Sequence, residues 1–546
     1  MTQSKSRKSG CGCFSLLLFG IVGIAGGYFY GRNFIGQELT PSRSAMITPA
    51  SAYATGFIST NPREWEEISQ FGTNSAQEIL TQNLQELIDE NLTEETQTID
   101  VEKDILPWLG GVSVAVLPSS SAGLDSNVAL IMGVSNKFKA NSFFQKYKNN
   151  LQTNPLETKY NGITVYEIDI ENSEKIWATF FNNYLVISEQ EEVVNQIIDT
   201  HKGKTSLANN YPQNLVNNNA VISIYFPEYD RILLKALKDN ISEGELDEQV
   251  EEQLNKIKTI FMNMSIEDHG LKFTTLVKLS EPLEYQNNRQ PVSENLLRKI
   301  PENSIFMING NGINQLWQQL EIERKNIPEL NELISETEIA VNQWLNLDLG
   351  NDIFSWLDGE FAFAVAGNVE KPLFNNNFYG LLLLESSNKN QGENTLSKLE
   401  NMAQFLPFAS INRTEIEGIN ITEWNNYQTT ITSYAWLDNN NFLLTLGKTF
   451  NPNEILDKNS SILNSDNFKI TTDSLAKNNY GYIYFDYQKA LDFALNIDPN
   501  FYEEFTPEMR ALSDSIKAFA LTSSSIDDTT DKVELNISLI KKKELN

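Results

Sequence analysis

The chain is short of cysteine and of histidine, and each shortage excludes chemistry. Among 546 residues the only cysteines are Cys11 and Cys13, both ahead of the first apolar run, so everything after Phe14 lacks a thiol. That removes a disulfide framework, thiol catalysis and thiolate metal sites from the folded part. The pair itself is read as having no special role, because a lipoprotein cysteine would follow the apolar stretch instead of preceding it. His201 and His269 are the only histidines, which leaves almost no material for a Ser-His-Asp triad or a multi-histidine metal site. No Gly-x-x-x-x-Gly-Lys-Ser/Thr or Gly-x-Gly-x-x-Gly run is present to cradle phosphate, and Asp-x-Asp-x-Asp-Gly spacing closed by Glu is missing too. Positive charge is scarce as well: 42 Lys and Arg stand against 72 Asp and Glu, for a net charge of -30. Such a surface repels nucleic-acid phosphates and anionic headgroups, which argues against nucleic-acid binding; its plain use is solubility.

One long hydrophobic run is present. Phe14 to Tyr30 holds 17 residues without a charge, the short end of a bilayer-spanning helix, and Tyr28, Phe29 and Tyr30 suit one interface. Lys5, Arg7 and Lys8 precede it, so the positive-inside rule keeps residues 1–13 cytoplasmic and sends the remainder across the membrane. No small-x-small cleavage site follows promptly, and the segment is therefore expected to be an uncleaved signal-anchor. Residues 31–46 are polar, contain Pro41 and show little periodicity, which predicts a linker.

The body of the chain is organised around one stretch that occurs twice. Asp104, Trp108 and Gly111 return as Asp352, Trp356 and Gly359, each 248 positions later, and both copies run into apolar β-branched or aromatic residues. Other landmarks keep the same order: Trp65 and Trp317, Ser135-Asn-Lys137 and Ser387-Asn-Lys389, Gly162 and Gly418, Tyr225-Phe226 and Tyr484-Phe485. Slowly drifting offsets in constant order are what loop insertions in a duplicated unit produce. The expected organisation is repeat 1 over 47–280, a polar linker with Pro282 and Pro291 over 281–298, and repeat 2 over 299–546.

Within each half, short β-rich runs are separated by turn residues, as at Asn161-Gly162 and Asn182-Asn183, and helical spacing appears between groups of strands. Helices are predicted at 75–90, 137–148, 189–200 and, as an acidic stretch, 229–257; then at 312–323, 328–344, 391–404 and 487–495. The fold class this predicts is α+β, two tandem repeats of a mainly antiparallel sheet with packed helices.

Candidate sites fail on context. Gly111-Val-Ser113-Val-Ala115 is a near miss for a nucleophile elbow, but Ser113 lies inside an alternating strand where the motif needs a strand-to-helix turn. Glu243 to Glu252 has the look of a solvated helix face, and Asp527, Asp528 and Asp531 belong to a turn. His201 follows a helix and His269 sits in a hairpin turn. The recurrent tryptophans are expected to pack, since a single active site would appear in one half only. No catalytic, cofactor or metal residue is therefore assigned.

With the repeated Asp-Ile-x-x-Trp-Leu-x-Gly stretch, Ile58-Ser-Thr-Asn-Pro62, Gln70-Phe-Gly-Thr73 and the N-terminal anchor in view, the chain resembles a cyanobacterial family known only as a domain of unknown function, number 3352. The resemblance covers nearly everything after residue 47. It implies a cyanobacterial source and a membrane-anchored protein, and it brings no catalytic residues with it. The expected function is non-enzymatic: an extracytoplasmic factor, in periplasm or thylakoid lumen, for interaction with or assembly and maintenance of membrane complexes. The alternatives are a carrier of lipid or pigment in an apolar groove and, second, a hydrolase-type enzyme.

Overall fold

Runs that alternate apolar and polar residues build the sheets of this chain, and helices with one apolar stripe cover them. The structure is a computed structural model and describes residues 39–79, 101–118, 126–150, 155–169, 175–212, 220–232, 234, 255–282, 289–325, 327–367, 378–403, 409–426, 429–447, 452, 455 and 460–544. The fold is α+β with antiparallel strand pairing throughout its described sheets. The chain divides into two units.

The first unit comprises residues 1–280 with 507–515 and 540–546. Its described strands are β1 (Ala54–Ile58), β2 (Leu109–Pro118), β3 (Ser126–Val134), β4 (Leu156–Tyr160), β5 (Ile163–Asp169), β6 (Lys175–Phe181), β7 (Tyr184–Ser188), β8 (Ala220–Phe226), β9 (Ile257–Glu267) and β10 (Gly270–Leu279). They pair in the order β10-β9-β8-β1-β2-β3-β7-β6-β5-β4. Helices α1 (Pro41–Ile47), α2 (Pro62–Glu66), α3 (Lys137–Asn150) and α4 (Glu191–His201) accompany them.

Alternation along β3 shows how the two faces are used. Ala129 and Ile131 join Val193, Val194, Ile197 and Ile198 of α4 in one core; Leu130 and Met132 join Trp108 and Ala140 of α3 in another. The period of two in the strand thus feeds two separate cores. Each of the four α4 side chains, fully buried, contributes about 1.5–3 kcal/mol relative to exposure.

The second unit comprises residues 281–506 and 516–539. Its strands are β11 (Ser304–Asn311), β12 (Glu360–Gly367), β13 (Phe378–Glu385), β14 (Ala409–Ile416), β15 (Ile419–Asn426), β16 (Thr429–Trp436), β17 (Asn441–Leu446), β18 (Tyr482–Phe485), β19 (Ile516–Asp527) and β20 (Thr530–Leu539). Their order is β20-β19-β18-β11-β12-β13-β17-β16-β15-β14, the same succession of pairings. Its described helices of seven residues or more are α5 (Ile313–Glu323), α6 (Pro328–Leu345), α7 (Lys389–Ala403), α8 (Asp466–Thr472) and α9 (Tyr487–Ile497).

The structure corrects several expectations. The linker expected through residue 46 is part of the fold from Leu39 onward: Leu39 and Ala45 are fully buried, and Thr40 caps α1 by accepting the Arg43 N–H. The linker expected over 281–298 is packed near its end, where Leu296 and Leu297 enter the second core and Ser293 donates N–H and O–H to Glu360. Helix expected to reach residue 257 gives way there to β9, because Ile257 already pairs with Leu279. Residues 507–515 and 540–546, expected in the second half, belong to the first unit, where the Gly72 N–H donates to the Ile540 carbonyl and Thr73 N–H to Ser515 Oγ. The apolar run 14–30, its flanks 1–13 and 31–38, most of the helix at 75–90 and the acidic cluster 243–252 lie outside the described residues. Among the described residues no helix is long and apolar enough to cross a membrane.

Gly481 shows how tightly these strands approach one another. Its φ is +126°, and a Cβ there would lie 1.9 Å from the Asn309 carbonyl oxygen, which is backbone and cannot swing aside. Gly481→Ala is expected to cost about 3 kcal/mol or more from strain and displacement combined. Urea unfolding of the full chain checks this, and a loss below about 1 kcal/mol would count against the register given for β11 and β18.

Candidate functional site

The stretch that occurs twice in the sequence forms the same device in each unit. Residues Val101–Ile105 make a π-helical turn, after which Trp108 Nε1 donates to the Asp104 carbonyl oxygen at 2.6 Å. The Asp104 carboxylate faces the other way and receives Lys146 Nζ of α3 at 2.8 Å on both oxygens. In the second unit Leu349–Ile353 makes the turn, Trp356 Nε1 donates to the Asp352 carbonyl oxygen at 3.0 Å, and Lys398 Nζ of α7 lies 2.7 Å from both Asp352 oxygens. One residue therefore fixes an indole beneath a helix by its backbone and the helix itself by its side chain. The Asp348 N–H and then the Lys398 ammonium hold the Asp352 carboxyl below the ordinary carboxylate range, against the opposing effect of burial.

Between helix and sheet the two units differ. In the first, a cavity of about 170 Å³ opens under α3, floored by Trp108 and walled by Phe144, Tyr166, Ala178, Phe180 and Leu185. Its rim carries Lys137, Asn141 and Gln145 from α3. The ladder shows what fills the matching space in the second unit. Leu185 pairs with Phe180 and Met132, whereas Phe442 pairs with Trp436 and Leu384. Two residues before Phe180 stands Ala178; two before Trp436 stands Tyr434. Tyr434, Trp436 and Phe442 close on one another and on Trp356, with Trp436 and Phe442 ring centroids 5.3 Å apart. Even the helix is drawn in: a Cβ on Gly392 would lie 2.8 Å from Trp436 and 3.1 Å from Trp356, while α3 has Ala140 in the corresponding turn. A further cavity of about 260 Å³ in the second unit is lined by Arg298, Lys299 and Glu385, but Arg298 is already committed to Glu294 at 2.6 Å.

The residues weighed from sequence are placed as follows. Ser113 lies inside β2, 1% exposed, donating to the Gly56 carbonyl oxygen at 2.7 Å and grouped with Ser44 and Thr55. His201 stacks on Phe181 at 4.5 Å, and burial, then Lys202, lowers its pKa; His269 lies in the β9–β10 turn. Asp531 pairs with Arg289 at 2.8 Å, and Asp527 receives the Thr529 N–H. Trp65 donates to the Ser59 carbonyl oxygen, whereas Trp317 stacks on Phe354. The cavity escaped sequence reading because an alanine in a strand is no motif; the offset that takes Gly162 to Gly418 also takes Ala178 to Tyr434 and was the available signal.

A second feature is an exposed apolar surface on α5 and α6. Leu316 and Leu320 stand one turn apart on α5, Leu333 and Trp344 three turns apart on α6, and Trp344 is 75% exposed. Ile334 is the one buried residue of α6.

The chain matches the family described as "Protein of unknown function (DUF3352)" over residues 13–539. No curated protein matches it. Among solved structures, it is similar to crystal form IV of TP0453, at 11% identity and a TM-score of 0.25, over 43% of this chain and 79% of that one. Crystal form III of TP0453 gives 12% identity and a TM-score of 0.24, over 46% and 89% of the two chains.

The clamp makes a pH-dependent prediction. Because the folded Asp352 carboxyl is held below its ordinary value, its stabilisation is present above about pH 4 and is lost as pH falls through the folded value. Asp352→Asn is expected to lower stability by about 1 kcal/mol at pH 7, the scale of a partly exposed pair. The gap from wild type should close on acidification, and chemical unfolding at pH 7 and at pH 3 measures it; a gap that is unchanged between the two would refute the assignment.

Proposed function

Because the chain belongs to the family described as "Protein of unknown function (DUF3352)", we propose its function from its own residues. It is a single-pass protein, anchored by Phe14 to Tyr30, whose two units lie on the extracytoplasmic side and act by binding a membrane-complex protein during assembly or maintenance. The uncharged run behind a basic start supports the anchor. The exposed Leu316, Leu320, Leu333 and Trp344 of α5 and α6 carry the binding reading, since large apolar side chains left open to solvent are what interaction sites present. Residues 313–345 hold six glutamates against Arg324 and Lys325. The fitting partner is therefore a protein that presents an apolar segment flanked by basic residues, whereas an anionic lipid surface is repelled.

A photo-crosslinking residue at Trp344 in the full-length protein, in its own membrane, is expected to capture one partner protein. Leu333→Glu should abolish that adduct. Adducts to lipid alone, or an adduct indifferent to Leu333→Glu, would sink the reading. The anchor has a separate check: carbonate washing should leave the full chain in the membrane and release one lacking residues 1–30.

We infer also that the units are copies of one ancestral fold, supported by the shared succession of strand pairings and by the twin clamps. Replacing Asp104–Trp108 with the Asp352–Trp356 sequence is then expected to leave the full chain folded, with Tm lower by no more than a few degrees. Failure to fold would speak against interchangeable turns.

A further inference from the structure

The cavity in the first unit has features that the docking surface does not use. Its interior is apolar, formed by Trp108, Phe144, Ala178 and Leu185, and at about 170 Å³ it is of the size class of apolar cavities that admit a benzene-sized group. Its rim carries one charge, that of Lys137, and sits on a basic helix in a strongly acidic protein. Helix α3 carries Lys137, Lys139, Lys146 and Lys148 and no acid, while the chain as a whole has a net charge of -30. Lys146 is held by Asp104; Lys137, at the mouth, has no ion pair among the described residues. Phe138, beside it on the first turn of the helix, is 89% exposed. The same position in the second unit is solid with Tyr434, Trp436 and Phe442. A space kept open in one unit and packed in the other, with a cation at its mouth that has no ion pair among the described residues, is suited to an occupant.

We propose that this cavity binds a small anionic amphiphile, with a ring or short acyl end between Trp108 and Leu185 and its acid group at Lys137. The cation at the rim sets the sign of the headgroup, and the volume limits the buried part to about a ring or six carbons. No bond is made or broken. The site lies in the first unit and involves neither α5 nor α6, so it stands or falls independently of the protein-binding reading.

The test uses the full-length protein in lipid nanodiscs, with calorimetric titration of octanoate, octylammonium and octanol against empty nanodiscs as reference. Octanoate is expected to bind at least tenfold more tightly than the other two. Lys137→Gln should remove that preference while leaving octanol binding unchanged. Ala178→Tyr, which introduces the residue found at the matching position of the second unit, should abolish octanoate binding without lowering Tm. Should that variant not fold, Leu185→Phe tests the same filling with a smaller change. Equal affinity for the three ligands would overturn the anionic assignment. Undiminished octanoate binding by a folded filling variant, or no octanoate binding by the wild type, would overturn the site.

Discussion

Attachment of one helix to one sheet face through a single aspartate is the constraint that positions the covering helix in each unit. A helix lying on a sheet is held by non-directional apolar contact, which fixes distance better than position along the groove. The clamp supplies the missing coordinate. Asp104 and Asp352 each bind a lysine from the covering helix while their carbonyl oxygens receive an indole N–H from below. Moving the helix by one turn would break the ion pair, and tilting the indole would break the other bond, so the spacing between helix and sheet is set before the side chains between them are chosen. That is why the same frame tolerates a dense aromatic cluster in one unit and an open cavity in the other.

The two sheets show a related economy. All their described strands pair antiparallel, and the longest connections leave the middle of the sheet, so most neighbours are formed by hairpins. Two non-local features are common to both: β1 lies between β8 and β2 as β11 does between β18 and β12, and β3 pairs with β7 as β13 does with β17. One face of the second unit's central strands is closed by Ala362, Ala364, Met307 and Tyr484, each fully buried.

Much of this was legible in the sequence, because strands with one buried face carry a period of two and tight turns carry Asn-Gly. The turns expected at Asn161-Gly162 and Asn182-Asn183 join β4 to β5 and β6 to β7 for that reason. Strands β4 and β14 were missed: four of the five side chains of Leu156–Tyr160 are exposed, so an edge strand of that kind has no apolar alternation to detect. Helix α1 was missed because its seven residues are too few to show a helical period. The candidate site divides in the same way. Its floor, Trp108, stood out through recurrence, but its emptiness depends on Ala178 and Leu185 standing where another ladder holds Tyr434 and Phe442, and small residues in a strand announce nothing by themselves.

The pairing of residues 71–77 with 511–515 and 540–542 concerns time as much as stability. Gln77 accepts from Lys542 across 465 positions, and Thr73 reaches Ser515 across 442. At roughly 5–20 residues per second of synthesis, this seam of the first unit waits about 25–90 s after its near side has been made. Throughout that interval the Phe71 edge, whose eventual bridge partner is Lys541, faces its surroundings unpaired. The first unit is thus begun early and closed late, and a chaperone that shields an open strand edge would find its longest engagement there.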